Sequence, residues 1–554
     1  MLNYKRVKSI SESNQTEEQH AWSKRSVHNA TLINSGTPAL YRLNTEKSYI
    51  DGNDRKVRRW TYGQKKRNVQ NKVILMVGET GSGKTTLINS MINHLLGLTY
   101  EDQDFYQITE DEEQNEDQSQ SQTRKITVYE AFVEENPTSL TIIDTPGYGD
   151  TEGFEKDGKI SEYLGRLFSH KDGVHYIDAV CFVMKATQNR LSGKELYIFH
   201  SVLSLFGRDI ENNIVFLLTH SDGLPPTNAL NAINTAEIPC RRDENNKPVY
   251  FLFNNRQKEE REEQYEQAYR SVWEMGEESM KEFLTLQKED NRKSVKMTLD
   301  VLKERKRLES CVSNLRDQIN EKELKTKELN QIQEALRQNR ENSETFKFRV
   351  NKVVKEKVPT DDKWWWNRNI TSCSVCEENC HEGCWWVSSN LSWCLVMKNN
   401  HCTVCTGKCH YSEHIRENKK YVTKTENVIM SFDQLRQENG LTGMDGRIRN
   451  VSESKTEIEE KLISDLQKIK NEKSNLLQEA YETAMILSKI ALKADSAFTL
   501  QHLEFLIPRL KEEGKDEWVK NLEDLRKAGE EKRNKGAVEH MKGYLAPKTM
   551  SSHM

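Results

Sequence analysis

Residues 73–89 read VILMVGETGSGKTTLIN. The run from Val73 to Val77 is apolar and rich in β-branched side chains, which favours a buried strand, and Leu87 and Ile88 open an apolar helical pattern after Lys84. Between strand and helix, Gly78, Gly83, Lys84 and Thr85 fit Gly-x-x-x-x-Gly-Lys-Thr in the context that phosphate binding requires. Gly81 and Gly83 free backbone N–H groups to converge, and the helix N-terminus adds partial positive charge, so the loop is a ready anion site. Thr80, Ser82 and Thr86 lie in the same stretch and are counted with the binding set.

The next segments extend the pattern. EDQDFYQITEDEEQNEDQSQSQTRKI, residues 101–126, is acidic and poor in apolar residues, so it reads as a mobile loop when no ligand holds it. KITVYEAF and SLTIID then read as strands, and the second ends in Asp144-Thr145-Pro146-Gly147. A carboxylate at that strand terminus is placed to hold Mg²⁺ through water, and the Gly147 N–H to meet a γ-phosphate. IDAVCFVMKA, LSGKELYIFHSVLSLFG and NNIVFLLT alternate strand, helix and strand. The alternation predicts parallel βαβ units in an α/β sheet, with ligands at the C-terminal strand ends.

Two further strand ends bear on the base. NNIVFLLT runs into Thr219-His220-Ser221-Asp222-Gly223, and PVYFLF into Asn254-Asn255. Guanine presents N1–H and a 2-amino group side by side, a donor pair that one carboxylate accepts and that adenine lacks. Asp222 fits that role, with His220 stacking on the purine and Asn254 or a neighbouring backbone N–H meeting O6. Adenine nucleotides stay open as an alternative.

The ordered set VGETGSGKTT, DTPG, THSD and FNN, with RLSGKELYIFHSVLSLFG between the second and third, resembles the septin-like P-loop GTPases and, within them, the immunity-associated GTPases. The resemblance covers roughly residues 70–256. It implies that Lys84 binds the β and γ phosphates, that Thr85 binds Mg²⁺, and that Thr123 is the switch threonine. His220 departs from the lysine or arginine of the common guanine box. Tyr148 stands where many small GTPases carry a water-orienting glutamine, which predicts slow intrinsic hydrolysis of GTP to GDP and phosphate. The resemblance further implies a homodimer across the nucleotide face, in which a second domain supplies what is missing. The expected function is a slow guanine-nucleotide switch stimulated by assembly. The alternative is a scaffold that binds nucleotide as a structural ligand without significant turnover.

The chain has 554 residues, of which 30% are charged, with a net charge of −4 and a mean hydropathy of −0.83. Such a composition suits long solvated helices around one compact globule, and the absence of a global basic bias does not imply nucleic acid as a partner. The start MLNYKRVKSISESNQTEEQ has no apolar core of a leader and no run is long enough to cross a bilayer, so the expectation is a cytoplasmic protein. No proline lies between Pro248 and Pro359, which predicts one helical arm from residue 257 to about 340. Leu308, Val312, Leu315, Ile319 and Leu329 form a coiled-coil seam interrupted at Lys322 and Thr326. Leu462, Leu466, Ile469, Leu476, Ala480, Leu487 and Ile490 form another, lapsing at Lys473 and Thr483. Self-association and helices folding back on each other satisfy these seams equally.

TFKFRVNKVVKEKV and KKYVTKTENVIM alternate like strands and predict a two-stranded ribbon around a cysteine-rich repeat. The repeat reads Cys373-x2-Cys376-x3-Cys380-His381-x2-Cys384, then Cys402-x2-Cys405-x3-Cys409-His410-x3-His414. A Cys-x2-Cys turn offers two thiolates to one tetrahedral ion, so two structural zinc ions are expected. One would take Cys373, Cys376, Cys384 and one of Cys380 or His381; the other Cys402, Cys405, His414 and one of Cys409 or His410. Interleaved pairing, substitution by Cys394 and an iron–sulfur cluster are alternatives. Trp364, Trp365, Trp366, Trp385, Trp386 and Trp393 crowd this module as core or as a protein-partner surface. The expected organisation is a basic tail over 1–38, a GTPase domain over 39–256, an arm over 257–344, the ribbon and zinc module over 345–430, helices over 431–530 and a tail over 531–554.

Overall fold

The computed structural model describes residues 29–52, 55–66, 69–110, 125–134, 136–147, 154–188, 191, 193–286, 291–338, 346–360, 370–382, 391–438, 451–492 and 497–531. The chain divides into two compact units, one holding residues up to Leu302 with Ile490–Ala497 and the segment from Leu525, the other Lys303–Lys489 with Phe498–Asp524. No helix among the described residues is long and apolar enough to cross a membrane.

The first unit is built on an eight-stranded sheet. Its strands are β1 (Glu46–Tyr49), β2 (Val57–Tyr62), β3 (Gln70–Gly78), β4 (Ile126–Ala131), β5 (Thr138–Asp144), β6 (Ala179–Lys185), β7 (Ile214–Thr219) and β8 (Tyr250–Leu252). Their order is β8-β7-β6-β3-β5-β4-β2-β1. The five strands from β8 to β5 are mutually parallel, β4 runs antiparallel to β5, and β2 is parallel to β4. The α/β sheet is thus mainly parallel, and Gly78, Asp144, Lys185 and Thr219 end their strands on one edge.

Strand alternation divides β3 between two cores. Val73, Leu75 and Val77 join one apolar cluster, with Phe182, Phe199 and Phe216. Ile74 and Met76 join the other, under Leu87, Ile88, Met91 and Ile92 of helix α1 (Lys84–Leu95). Helices α2 (Phe154–Ser169), α3 (Gly193–Leu203) and α4 (Thr227–Thr235) contribute Leu164, Val202 and Ile233 to the first cluster. A sheet buried on both faces explains why these strands read as continuous apolar runs.

The structure moves two expected boundaries. The arm from residue 257 is two helices: α5 (Glu266–Leu286) and α6 (Lys296–Gln338). Met280 and Phe283 of α5 lie in the second core, with the Phe283 ring 5.3 Å from that of Phe251, so α5 completes the core on that face of the sheet. At the other end, Ala30–Asn34, which the sequence suggests is tail, forms a three-stranded sheet with Ala39–Leu43 and Asp104–Gln107.

In the second unit, β9 (Lys347–Pro359) and β14 (Lys419–Ser431) pair antiparallel from Lys347↔Ser431 to Pro359↔Lys419. The small sheet at the ribbon's end has the order β11 (Glu378–His381), β10 (Ile370–Cys373), β13 (His414–Glu417), and β12 (His401–Cys402) pairs with Met397–Lys398. Four helices complete the chain: α7 (Phe432–Glu438), α8 (Val451–Ile490), α9 (Ala497–Glu512) and α10 (Asp516–Glu531). Leu329, Leu336, Val350, Met430, Phe432, Ile458 and Leu462 share one core, with Leu466 and Ile469 packed on it. Both seams are therefore engaged inside one chain. Their polar interruptions are paired there as well: Lys322 bonds Glu472 at 2.7 Å, Lys473 faces Glu513 at 3.4 Å, and the Thr326 and Thr483 hydroxyls donate to the carbonyls of Lys322 and Glu479.

Candidate functional site

The loop between β3 and α1 is shaped by backbone conformation. Gly83 has φ 92° at the N-cap of α1, a left-handed geometry that costs glycine little, and a Cβ there would press on Thr219 at 3.3 Å. Gly147, beyond β5, approaches so closely that a Cβ would lie 2.2 Å from Thr80 Oγ1. The loop after β3 and the glycine of DTPG come this close because residue 147 has no Cβ. Thr145 Oγ1 donates to the Met76 carbonyl at 2.9 Å, tying the end of β5 to β3.

Lys84 is buried, and its Nζ donates to the carbonyls of Gly78 at 2.9 Å and Glu79 at 3.0 Å. Burial lowers its pKa to about 8, against the opposing pull of the Asp144 and Glu79 carboxylates. Asp144 is buried at the end of β5, Thr80 and Thr85 are exposed, and Thr86 is half-buried. Ser82 Oγ is buried with no hydrogen-bond partner among the described residues, an acceptor and donor aimed into the loop. Gly78, Thr80, Ser82, Lys185, Glu195 and Phe199 line a cavity of ≈ 180 Å³ beside it.

The expected base-reading segments meet at the ends of β7 and β8. Thr219 Oγ1 donates to the Ser82 carbonyl at 2.7 Å, which braces this edge against the phosphate loop. His220 is exposed with φ 54°, and its ring Nδ1 lies 3.1 Å from Thr219 Oγ1. Asp222 is exposed and accepts from the Leu224 N–H at 3.0 Å, holding a tight turn with one oxygen engaged. Asn254 Nδ2 donates to the Ser221 carbonyl at 3.0 Å, so its amide braces the neighbouring loop, a role that sequence reasoning did not assign it. Asn255 is half-buried beside it. Thr123 and Tyr148 lie outside the described residues.

Sequence reasoning also missed the anchors of the acidic segment. Asn89 on α1 accepts from the Ile108 N–H at 3.0 Å and donates to Thr109 Oγ1 at 2.8 Å, and Asn93 accepts from the Tyr106 N–H at 2.9 Å. Buried asparagines on an otherwise apolar helix face are the signal that would have found them.

Residues 72–300 match the model of the AIG1 family. No curated protein matches the chain. Among solved structures, the chain is similar to Toc33 of Arabidopsis thaliana in complex with GDP and Mg²⁺, at 14% identity over 41% of this chain and 88% of that one, with a TM-score of 0.28. The same protein with Mg²⁺ and GMPPNP gives 14% identity over 38% and 86%, with a TM-score of 0.25. Elongation factor SelB of Methanococcus maripaludis with a GTP analogue gives 13% over 40% and 34%, with a TM-score of 0.23. The AIG1 match ends at residue 300, beyond α5, which agrees with the packing of that helix on the sheet.

In the second unit, the cysteines gather across the repeats. Cys373, Cys376, Cys405 and Cys409 form one group and Cys380, Cys402, Cys405 and His414 another, with the donor atoms of each within 4.8 Å of one another. Either group could hold a metal ion. These groups follow the interleaved alternative and not the pairing within each repeat, because β10 pairs with both β11 and β13 and so draws residues of the two repeats together. Cys376 and Cys409 Sγ stand 3.6 Å apart, close to the edge of about 3.8 Å that a tetrahedron of zinc–sulfur bonds of about 2.3 Å would have. Backbone N–H groups of Cys376, Val404, Cys405, Gly407 and Cys409 donate to cysteine sulfurs at 3.3–3.4 Å, an arrangement that favours thiolates. His414 Nδ1 faces the His410 carbonyl at 3.0 Å, and its buried Nε2 has no partner among the described residues.

His381 and His410 are not in either group. His381 Nδ1 lies 3.0 Å from Cys394 Sγ, whereas His410 is half-buried at the surface and its Nδ1 meets Ser412 Oγ at 2.9 Å. Cys384, Trp364, Trp365, Trp366, Trp385 and Trp386 lie outside the described residues. A buried polar network supports the module: Asn314 Nδ2 donates to Glu378 Oε2 at 2.9 Å, and the same oxygen accepts the Thr406 N–H at 3.1 Å. Glu378 and Asn314 carry no spacing signature, so sequence reasoning did not select them.

Proposed function

We propose that this chain is a guanine-nucleotide-binding GTPase whose intrinsic turnover is slow and rises when two nucleotide domains meet. The observation that carries the reading is the convergence of Lys84, Asp144, Gly147 and Thr219 on one loop at the C-terminal edge of a parallel sheet. In this reading Lys84 turns from the Gly78 and Glu79 carbonyls to the β and γ phosphates, and the N–H groups from Thr80 to Thr85 surround them. Thr85 and Asp144 would hold Mg²⁺, which supplies charge neutralisation at the phosphates. Gly147 meets the γ-phosphate, Thr123 closes over it, and Asp222 reads the guanine edge beside His220, Asn254 and Asn255.

Slow turnover rests on Tyr148, which replaces a water-orienting amide. A second domain contributing one donor across the nucleotide face would accelerate hydrolysis by roughly 10³-fold or more, as donors acting in trans do. Fluorescent GTP binding with ATP and GTP as competitors tests the base assignment, and equal displacement by both would remove it. Specific activity of the full chain should rise with protein concentration. Activity that stays flat across a hundredfold dilution would remove the assembly step, and tight binding with no turnover at any concentration would favour the scaffold reading.

We further propose that both metal groups hold structural zinc. Closed sets of cysteine and histidine leave no open position for catalysis, and the ions would supply folding energy to a module with little apolar core. Elemental analysis of protein purified under reducing conditions should find two zinc ions per chain, and finding none would overturn the assignment.

A further inference from the structure

We propose that the two metal ions form one binuclear cluster in which the Cys405 thiolate bridges both. This rests on the structural-metal reading above and sharpens it. Among the described residues the two groups name seven donors, because Cys405 belongs to each: with Cys373, Cys376 and Cys409 in one, and with Cys380, Cys402 and His414 in the other. Two separate four-coordinate ions would need an eighth donor from outside this set. The other histidines of the repeat do not supply one in this geometry, since His381 is engaged with Cys394 and His410 with Ser412.

A bridging thiolate is chemically suited to the vacancy of donors. Its sulfur keeps lone pairs for a second ion after binding the first, and among the described residues Cys405 Sγ takes one backbone N–H, from Cys409 at 3.4 Å. Charge points the same way. Six thiolates, one neutral imidazole and two divalent ions sum to −2 (six negative, four positive), whereas an additional thiolate donor would bring −3 into a buried place. On assembly each of the six cysteine thiols gives its proton to solvent as its sulfur–metal bond forms. His414 binds through Nε2 and keeps its Nδ1 proton on the His410 carbonyl.

The consequence is coupling: when one ion leaves, the Cys405 thiolate becomes terminal on the other, so each ion senses the occupancy of its neighbour. The reduced full-length chain loaded with ¹¹³Cd²⁺ tests this by cadmium NMR. The expected spectrum has two resonances, each split by scalar coupling that only a shared sulfur can carry. Cys405→Ser should abolish the splitting and weaken both ions, while Cys409→Ser should shift mainly one resonance. Two bound ions with unsplit resonances, or a single bound ion, would overturn the bridge and leave the metal reading standing. No bound cadmium or zinc in the reduced wild-type chain would overturn both. Should Cys405→Ser fail to fold, the wild-type splitting still decides.

Discussion

The phosphate loop and the cysteine module both announce themselves as short motifs with fixed spacing, yet only one is assembled as it is written. In the loop from Gly78 to Thr85, the groups proposed to meet phosphate are largely backbone N–H groups of one contiguous segment, so sequence order and spatial order coincide. In the module the ligands are side chains, and their grouping is decided by strand pairing. β10 lies between β11 and β13, which carries Cys373 to the Cys405 and Cys409 of the other repeat. A repeat of this kind therefore offers candidate donors without specifying which of them gather around which ion.

Metal removal should separate the two regions with the largest effect. Strong chelation under reducing conditions is expected to unfold the module around residues 370–417, because structural-site binding energy is folding energy. The nucleotide domain has its own cores and should keep its fold. Proteolysis followed by mass spectrometry checks this: new cleavages confined to the module are expected, and loss of GTP binding at the same chelator concentration would join the two regions that the comparison keeps apart.

The reverse perturbation is Lys84→Ala. Loss of a buried charge-assisted contact to the phosphates is expected to weaken nucleotide binding by about 100-fold or more. Circular dichroism and zinc content should be unchanged. Unaltered affinity in a folded variant would sink the phosphate site.

The pKa of the same lysine predicts a pH effect. Burial holds it at about 8 in the free protein, while phosphates would favour the charged form. Above pH 8 nucleotide binding must therefore take up a proton, and affinity should fall by about tenfold per pH unit until the bound lysine also titrates. For folding the sign is opposite: the unfolded chain holds this proton between pH 8 and 10.5, so the burial penalty eases as pH rises through that window. Titration calorimetry in buffers of different ionisation enthalpy measures the proton uptake directly, and none between pH 8 and 9 would remove the link to Lys84.

Legibility in the sequence followed the same division. The strands of the central sheet were readable because both faces are buried, so Val73–Val77 and Ile214–Leu218 are unbroken apolar runs. Asp144 and Thr219 were legible because a parallel sheet places successive strand ends on one edge. The end of the nucleotide-type domain was not. Helix α5 carries five glutamates, and Met280 and Phe283 are its only buried apolar residues. The seams of α6 and α8 showed apolar spacing but not their partner, since spacing alone is indifferent to whether the facing helix belongs to the same chain. Lys322 and Glu472 are 150 residues apart, and nothing local links them.

Asp222→Asn is next in expected size. Replacing the charged acceptor opposite two guanine donors should cost about 1–3 kcal/mol in GTP affinity and leave ATP affinity unchanged. GTP affinity that survives the change would assign the base to another residue, with the loop held by Asn254 and Ser221 the first place to look.

The smallest effect concerns the brace between base-reading edge and phosphate loop. Thr219 Oγ1 donates to the Ser82 carbonyl at 2.7 Å and lies near enough to Gly83 that the two segments set each other's position. Thr219→Val keeps the shape and removes the hydrogen bond, leaving a buried carbonyl without its donor, at a cost of about 1 kcal/mol. If the brace only stabilises the fold, unfolding shifts by that amount while nucleotide affinity stays the same. If it positions the loop, affinity for GTP and GDP falls together by about fivefold, because the Ser82 N–H and its neighbours are displaced from both nucleotides alike. The two outcomes differ in a binding titration at a temperature where the variant is fully folded. A change confined to the module's zinc content would instead show that the nucleotide loop and the cysteine cluster communicate, against the separation on which the comparison rests.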